Sequence, residues 1–306
     1  MSPRVAEATA PCRVELAGGP PGTLTLAVAI DRRAWCRVES GVDGIEIESR
    51  DGLRKASGRD LSEIRETGAL GAAGEVLRGL GVNTGLRVVT QSRVPAGSGL
   101  GESRALAVAM AGAAVRVLGT EPGGPPVAAA GRMADGGPDG EEGHAAVVGG
   151  AIAVHPGSPA TRVERLSVDP ARIEQCLLLI EAGGEAPRSL GDRGADAIAS
   201  VARGVREALL AGRFEDVVGL WADEWECRSG ASGGSGTGEV DRVASLVREA
   251  GGGVRACAAG RGRVLAVWAP PGERGPGRKE AVLSAARAAG LRLFPARVDL
   301  RGLEVE

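Results

Sequence analysis

The spacing of apolar residues along the chain predicts a mixture of strands and helices. In the first hundred residues, apolar and polar side chains alternate in five segments, which predicts strands at 12–16, 23–30, 34–40, 43–50 and 85–93. Apolar residues three and four apart predict a helix over 61–81 that is closed by glycine. Residues 104–119 are alanine-rich and predict a long helix, which follows the last of these strands through a glycine-rich loop.

The rest of the chain continues the mixture without strict alternation. Apolar runs predict further strands at 144–155, 171–184, 263–271 and 291–298. Helical spacing predicts helices at 196–214, 215–228, 240–251 and 279–290. Runs of strands and helices in this order favour the α+β class, and we place a division into two domains, 1–160 and 161–306.

Composition and charge exclude several classes of protein. A net charge of −2 without a basic run argues against a nucleic-acid or membrane-surface protein. Five scattered cysteines argue against a disulfide framework or a zinc knuckle and favour a reducing compartment. No apolar stretch of about 18 residues occurs, and the first residues lack the apolar core of a signal peptide. We therefore expect a cytoplasmic protein.

The loop from Gly97 to Ser103 carries the clearest chemical signal. Its glycines let the backbone bend so that successive amide N–H groups point into one concavity. The helix that follows adds free amides and the positive end of its dipole, so the loop suits a phosphate group. No lysine follows the glycines, which excludes the P-loop NTPases. The alternative is an ordinary turn between a strand and a helix.

Four stretches in a fixed order resemble the signatures of the GHMP kinases. Residues 95–105 (PAGSGLGESRA) resemble the second, phosphate-binding signature. Residues 10–19 (APCRVELAGG) resemble the amino-terminal signature, residues 253–262 resemble the glycine-rich third one, and Gly149–Gly150 follows an acidic segment as the catalytic aspartate region would. The Ala-Gly-Gly at 17–19 is most similar to the sugar-kinase branch of heptose 7-phosphate kinases and L-fucokinases. The resemblance implies a two-lobed fold, with a ribosomal S5-like amino-terminal half and a ferredoxin-like carboxy-terminal half.

The resemblance also implies roles for individual residues, with ATP and Mg²⁺ as cofactors and a small molecule as the acceptor. The ATP-binding residues would be Pro95, Gly97, Ser98, Gly99, Leu100, Gly101, Glu102, Ser103 and Arg104. Ser103 would hold the magnesium ion, and Arg13 would stabilise charge on the transferring phosphoryl group. Glu142 stands where the catalytic aspartate is expected, with Glu141 and Asp139 as alternatives. The acceptor would contact Gly18, Gly19, Arg188, Gly260 and Arg261.

Several positions depart from the pattern of the resembled family. Glu102 and Arg104 stand where small residues are usual, Arg261 replaces a glycine, and Pro20 follows Gly19 where sugar kinases carry Thr-Asp. A carboxylate at the helix start would repel ATP phosphates unless a metal intervenes. Two hypotheses therefore remain: an active phosphotransferase, or a pseudokinase that keeps the fold as a binding or regulatory module. A homodimer is left open.

Overall fold

The computed structural model describes residues 4–19, 22–64, 69–94, 97–119, 143–157, 161–183, 192–231, 238–257, 264–272 and 277–306. These residues form two sheets with helices packed against them, which confirms the predicted α+β class. Among the described helices, none combines the length and the apolar character that a membrane crossing requires.

The described strands and helices are numbered in chain order. The strands are β1 (Val5–Ala17), β2 (Thr25–Ser40), β3 (Ile45–Ser49), β4 (Arg54–Gly58), β5 (Leu86–Ser92), β6 (Ala151–His155), β7 (Arg162–Arg165), β8 (Leu177–Glu181), β9 (Gly253–Ala256), β10 (Val264–Trp268), β11 (Leu293–Pro295) and β12 (Glu304–Val305). The helices are α1 (Ala69–Gly79), α2 (Glu102–Leu118), α3 (His144–Val148), α4 (Pro170–Cys176), α5 (Asp192–Leu210), α6 (Asp216–Ala231), α7 (Gly238–Glu249) and α8 (Arg278–Ala288).

The first sheet has eight strands and is organised around β2. Its main path runs β12-β1-β2-β5-β3-β4, with β6 paired to the first part of β2 and β7 paired to β6. All these pairs are antiparallel except β3 with β5. The alanine-rich helix α2 lies against β1 and β2, because its small side chains let the helix approach the sheet closely.

The second sheet has four strands in the order β11-β8-β10-β9. An aromatic group is buried beside it, in which Trp268 stacks on Phe214 at 6.1 Å between ring centroids and lies 5.8 Å from Trp221. The indole N–H of Trp221 donates to the carbonyl oxygen of Leu16 in β1, at 2.8 Å. This bond ties helix α6 to the end of the first strand of the other sheet.

The segment that follows β11 returns to the first sheet. The amide of Asp299 donates to the carbonyl oxygen of Ala29, at 2.9 Å, and β12 pairs antiparallel with β1. The buried carboxylate of Asp299 accepts from the Arg33 guanidinium at 2.5 Å. Strand β7 likewise belongs to the first sheet, although it lies just past residue 160, so the division at that residue stays a prediction.

Two predicted strands are partly helical in the structure, and the prediction was wrong there. Residues 144–155 form α3 and then β6, separated by Gly149 and Gly150 with φ of 71° and 70°. Residues 171–184 begin as α4, because the Asp169 carboxylate caps the helix by accepting from the Ala171 amide at 2.9 Å. A short apolar run can form either a helix or a strand. Only the residues at its edges, such as a helix-capping aspartate or a pair of glycines, distinguish the two.

Two other boundaries differ from the expectation. The helix predicted over 61–81 is described only from Ala69, and residues 61–64 form a turn in which the Ser62 amide donates to the Asp60 carboxylate at 2.7 Å. The strands predicted at 23–30 and 34–40 are one continuous strand, β2. Its two parts pair with different strands, since residues 25–28 pair with β6 and residues 34–40 pair with β5.

Gly302 offers a test of the close contact between the returning segment and α3. At Gly302, with φ of 69°, an added Cβ would collide with the carbonyl oxygen of Val147, whereas at Gly290, with φ of 70°, it would meet open space. We expect Gly290→Ala to lower the free energy of unfolding by about 1 to 2 kcal/mol from backbone strain. Gly302→Ala should lower it by about 1 to 3 kcal/mol more, through overpacking. Urea denaturation of both variants measures the difference, and equal losses would contradict the close contact.

Candidate functional site

The glycine-rich loop before α2 has a regular alternation of conformation and burial. Gly97, Gly99 and Gly101 have φ of 75°, 84° and 72°, the left-handed region that glycine adopts without strain. Between them, Ser98 and Leu100 are buried, and the Leu100 amide lies 3.4 Å from the Ser98 hydroxyl oxygen that accepts its hydrogen bond. The alternation anchors the loop through its side chains and leaves Gly97 exposed and Gly99 and Gly101 half-buried.

Arg13 lies directly against this loop. Its amide donates to the carbonyl oxygen of Leu100 at 2.8 Å, which joins β1 to the loop. Its buried side chain runs over Gly101 so closely that a Cβ there would lie 2.6 Å from the Arg13 Nη1 atom. Position 101 therefore needs glycine for two reasons, its φ and the space that the guanidinium occupies. The structure thus brings together Arg13 and the predicted phosphate loop.

The first turn of α2 places two of the predicted residues at its surface. Ser103 is exposed and Arg104 is half-buried, immediately after the αL residue Gly101. Among the described residues, no group of three or more His, Cys, Asp or Glu side chains could hold a metal ion. An exposed Ser103 hydroxyl is compatible with Mg²⁺, which keeps several waters and is bound largely through substrate phosphates.

Glu102 sits at the same helix start in an acidic environment. Burial raises the pKa of its carboxyl and Asp51 raises it further, against a hydrogen bond from Ser92 that lowers it. Asp51 in turn accepts from the Ser92 amide at 2.6 Å, so the two carboxylates share one small polar group. This arrangement places two carboxyl groups beside the predicted phosphate loop.

A buried arginine, Arg255 on β9, connects the second sheet to the end of β1. Its Nη2 atom donates to Glu15 Oε1 at 2.7 Å and to the carbonyl oxygen of Gly18 at 2.8 Å, and its Nη1 atom donates to the carbonyl oxygen of Glu15 at 3.0 Å. Its Nε atom donates to both carboxylate oxygens of Glu224, at 3.1 and 3.2 Å. All three guanidinium nitrogens are thereby used, on partners from β1, from Gly18 directly after it and from α6.

A second arginine reaches the same carbonyl oxygen. Arg228 lies one turn after Glu224 on α6, donates to its Oε1 atom at 2.7 Å, and also donates to the Gly18 carbonyl oxygen at 2.7 Å. Gly19, with φ of 121°, lies over this network, so that a Cβ there would be 3.0 Å from Glu15 Oε1 and 3.3 Å from Arg228 Nη2. The predicted acceptor residues Gly18 and Gly19 therefore rest on a buried set of charges.

The buried charges change the protonation of Glu15. Burial by itself would raise its pKa, but Arg255, Arg13 and Arg228 lower it on balance. The Arg13 guanidinium is 3.7 Å from Glu15 Oε2, so this carboxylate lies between Arg13 on one side and Arg255 on the other. Burial alone would also lower the pKa of Arg255, and Glu224 and Glu15 raise it instead. Both partners are consequently held in their charged forms.

The remaining predicted residues fall outside the described parts of the chain. Those residues are Pro95, Asp139, Glu141, Glu142, Arg188, Gly260 and Arg261. The described chain resumes at Gly143, and helix α3 then lies against β1 and α2, the two elements that carry Arg13 and Ser103. The roles predicted for the undescribed residues stay predictions.

Sequence reasoning missed Glu15, Glu224, Arg228 and Arg255 as members of the site. Two of the contacts could have been predicted from local spacing. Glu15 lies two residues after Arg13, on the same face of the strand, and Arg228 lies four residues after Glu224, on the same face of the helix. The link between Glu15 and Arg255 joins residues 240 positions apart, and no local pattern reveals it.

The chain was compared with models of protein families and with solved structures, and both comparisons found similar proteins. Residues 68–150 match the model of the GHMP kinases N terminal domain. This chain has the GHMP kinase fold. A D-glycero-D-manno-heptose 1-phosphate kinase from Bacteroides thetaiotaomicron superposes with a TM-score of 0.75 at 20% identity, over 98% of both chains. A search of the curated proteins found no match.

Two further solved structures show how widely the GHMP kinase fold is shared. Homoserine kinase from Cytophaga hutchinsonii has a TM-score of 0.64 at 17% identity, over 99% of this chain and 97% of its own. The mevalonate diphosphate decarboxylase from Enterococcus faecalis, described for its ATP binding, has a TM-score of 0.71 at 15% identity, over 100% and 99%. The fold is therefore shared by proteins named as kinases and by one named as a decarboxylase.

Acid titration tests the charge network around Glu15. Because the folded-state pKa of Glu15 is lowered, its contribution to stability is complete above the ordinary glutamate pKa of about 4.3 and is lost as the pH falls through the folded value. We expect Glu15→Gln to lower the free energy of unfolding by about 2 kcal/mol at pH 7. The difference from the wild type should shrink below about pH 4.

Urea denaturation at a series of pH values between 7 and 3 gives this comparison. Glu226→Gln, an exposed position on α6, serves as the control and should stay within about 0.5 kcal/mol of the wild type at pH 7. A difference for Glu15→Gln that did not depend on pH would contradict the assignment of a buried, ionised carboxylate.

Proposed function

We propose that the chain is an ATP-dependent small-molecule kinase, which transfers the γ-phosphoryl group to a hydroxyl of a sugar, sugar phosphate or related polyol. The observation that carries the proposal is the contact of Arg13 with the glycine-rich loop, at the start of α2. A fixed cation beside a cradle of backbone amides is the arrangement that phosphoryl transfer uses, because its catalysis is mostly positioning and charge stabilisation.

The loop, the first turn of α2 and Arg13 would have different roles in binding the nucleotide. The amides between Gly97 and Gly101 and those of the first turn of α2 would bind the phosphates. Ser103 would supply a hydroxyl ligand to Mg²⁺, which when bound neutralises charge on the phosphate oxygens. Arg13, always protonated and planar, would stabilise the charge that develops on the transferring group.

The acceptor would bind on the other side of Arg13, beside the Gly18–Gly19 turn. Glu142 would orient its hydroxyl and take the proton as the bond to phosphorus forms. The undescribed Arg188, Gly260 and Arg261 complete the proposed acceptor contacts. The similarity of the fold to a heptose 1-phosphate kinase supports a sugar or sugar phosphate as the acceptor. The cysteines, all of them free, fit a reducing cytoplasm.

A second candidate is a nucleotide- or metabolite-binding module without turnover. The observation that favours it is Glu102, whose carboxyl lies at the start of α2 in a cluster with Ser92 and Asp51. Negative charge at this place opposes the binding of nucleotide phosphates unless Mg²⁺ or Arg104 offsets it. The two candidates differ in whether ADP is released.

Binding of Mg-ATP is the first test of the proposal. At a concentration of about 100 times its dissociation constant, the nucleotide should stabilise the wild type by about 2.7 kcal/mol, measured as a thermal shift. Gly101→Ala should weaken binding at least tenfold, because its φ of 72° is strained for alanine and the collision of the new Cβ with the Arg13 side chain forces the loop out of its conformation. Gly85→Ala has a similar φ of 83° with open space around it and should bind as the wild type does.

Release of ADP in the presence of sugars and sugar phosphates is the second test. Arg13→Lys keeps a positive charge but loses the planar fork, so we expect kcat to fall about 100-fold or more, or roughly 3 kcal/mol. Glu142→Ala should lower kcat by about 100-fold if it is the general base. A wild type that binds Mg-ATP but releases no ADP with any acceptor would leave only the binding module.

A further inference from the structure

We propose that Arg255 and Glu224 are positioning residues, which hold the Gly18–Gly19 turn and, through Glu15, the Arg13 guanidinium in the geometry that the acceptor site needs. The inference rests on the proposed function for the role of Arg13. It assigns a task to residues from β9 and α6, which lie more than 200 positions after the turn that they hold.

The first step concerns the turn itself. Gly18 and Gly19 have φ of 94° and 121°, which favour glycine at both positions, and a Cβ at Gly18 would also collide with the carbonyl oxygen of Leu24. Glycine is also the residue with the greatest backbone freedom, so a turn of two glycines is not stiff by itself. A site that orients an acceptor at this turn therefore needs stiffness from elsewhere.

The second step is the source of that stiffness. Two guanidinium groups donate to the single carbonyl oxygen of Gly18, from Arg228 at 2.7 Å and from Arg255 at 2.8 Å. Together they fix the plane of the peptide that joins Gly18 to Gly19. Glu224, with a side chain only 1% exposed, accepts from both arginines and so fixes the donors themselves.

The third step extends the network to Arg13. Arg255 holds both the carbonyl oxygen and the carboxylate of Glu15, at 3.0 and 2.7 Å. The other carboxylate oxygen of Glu15 lies 3.7 Å from the Arg13 guanidinium, which in turn covers Gly101. A shift of Arg255 would therefore reach the turn through its hydrogen bond to Gly18, and would reach Arg13 through its hydrogen bond to Glu15 and the ion pair between Glu15 and Arg13.

The fork of Arg255 is essential to this role. Its three nitrogens bind Glu15, Gly18 and Glu224 at the same time, and a lysine ammonium on a flexible stem cannot reproduce these directions. Charge alone is thus not sufficient, and Arg255→Lys separates geometry from charge. Glu224→Gln removes the charge that fixes both arginines and keeps nearly the same shape.

The test compares these two variants with a matched control. Asp299→Asn removes a carboxylate that is buried to the same degree, at 2% exposed, and that pairs with Arg33 instead. Hydrogen exchange of the peptide segment from Arg13 to Gly19 reports on the turn without any need for turnover. Steady-state ADP release, at saturating acceptor and varied Mg-ATP, gives kcat and KM for the same proteins.

We expect all three variants to lower the Tm, and only Glu224→Gln and Arg255→Lys to change the site. In these two, exchange of the segment should accelerate at least tenfold and kcat should fall at least tenfold, while KM for Mg-ATP stays within twofold because the loop before α2 is intact. Asp299→Asn should keep both the exchange rate and kcat. If Glu224→Gln does not fold, Arg255→Lys provides the same comparison with the charge retained.

The possible results separate the inference from the proposed function. Unchanged exchange in Glu224→Gln and Arg255→Lys would overturn the inference, as would exchange accelerated equally in Asp299→Asn. Normal kcat in Arg255→Lys would also overturn it, since charge would then suffice. A wild type without ADP release, combined with accelerated exchange in the two variants, would end the proposed function and retain the positioning of the turn.

Discussion

A buried guanidinium must keep its partners, and that constraint determines how the parts of this chain meet. Taking an ion out of water costs several kcal/mol, which only good hydrogen-bond geometry offsets. Arg255 meets the condition by reaching two carboxylates and two carbonyl oxygens, which belong to β1, to Gly18 directly after it and to α6. The end of β1, the helix α6 and the strand β9 are therefore fixed relative to one another by a requirement that apolar packing alone would not impose.

The fold was largely accessible from the sequence where local signals agree. The glycine loop and α2 were predicted because glycine conformation, alanine content and helix spacing all indicate the same arrangement. The predictions failed where an apolar run has no preference of its own, as in residues 144–155 and 171–184. There the Asp169 cap and the glycines 149 and 150 determine the outcome, and these signals lie at the edges of the run.

In the candidate site, too, some residues could be predicted from local sequence and others could not. Arg13 and the loop follow from short motifs, and the structure places them in contact. Glu15, Glu224 and Arg255 become a group only through long-range pairing, since two of them belong to different sheets and the third to a helix. The residues of each motif lie together in a short stretch of the chain, whereas the charges that support them meet only through tertiary contacts between distant residues.

The return of β12 to the edge of β1 also affects how the molecule is made. Ala8 pairs with Val305, so the first strand receives this neighbour only after almost every other described residue has left the ribosome. Asp299 anchors the same segment through Arg33. The amino-terminal sheet is therefore complete only once residues 304 and 305 have been synthesised, and a recombinant fragment that stops before residue 296 would expose the edge of β1 to aggregation.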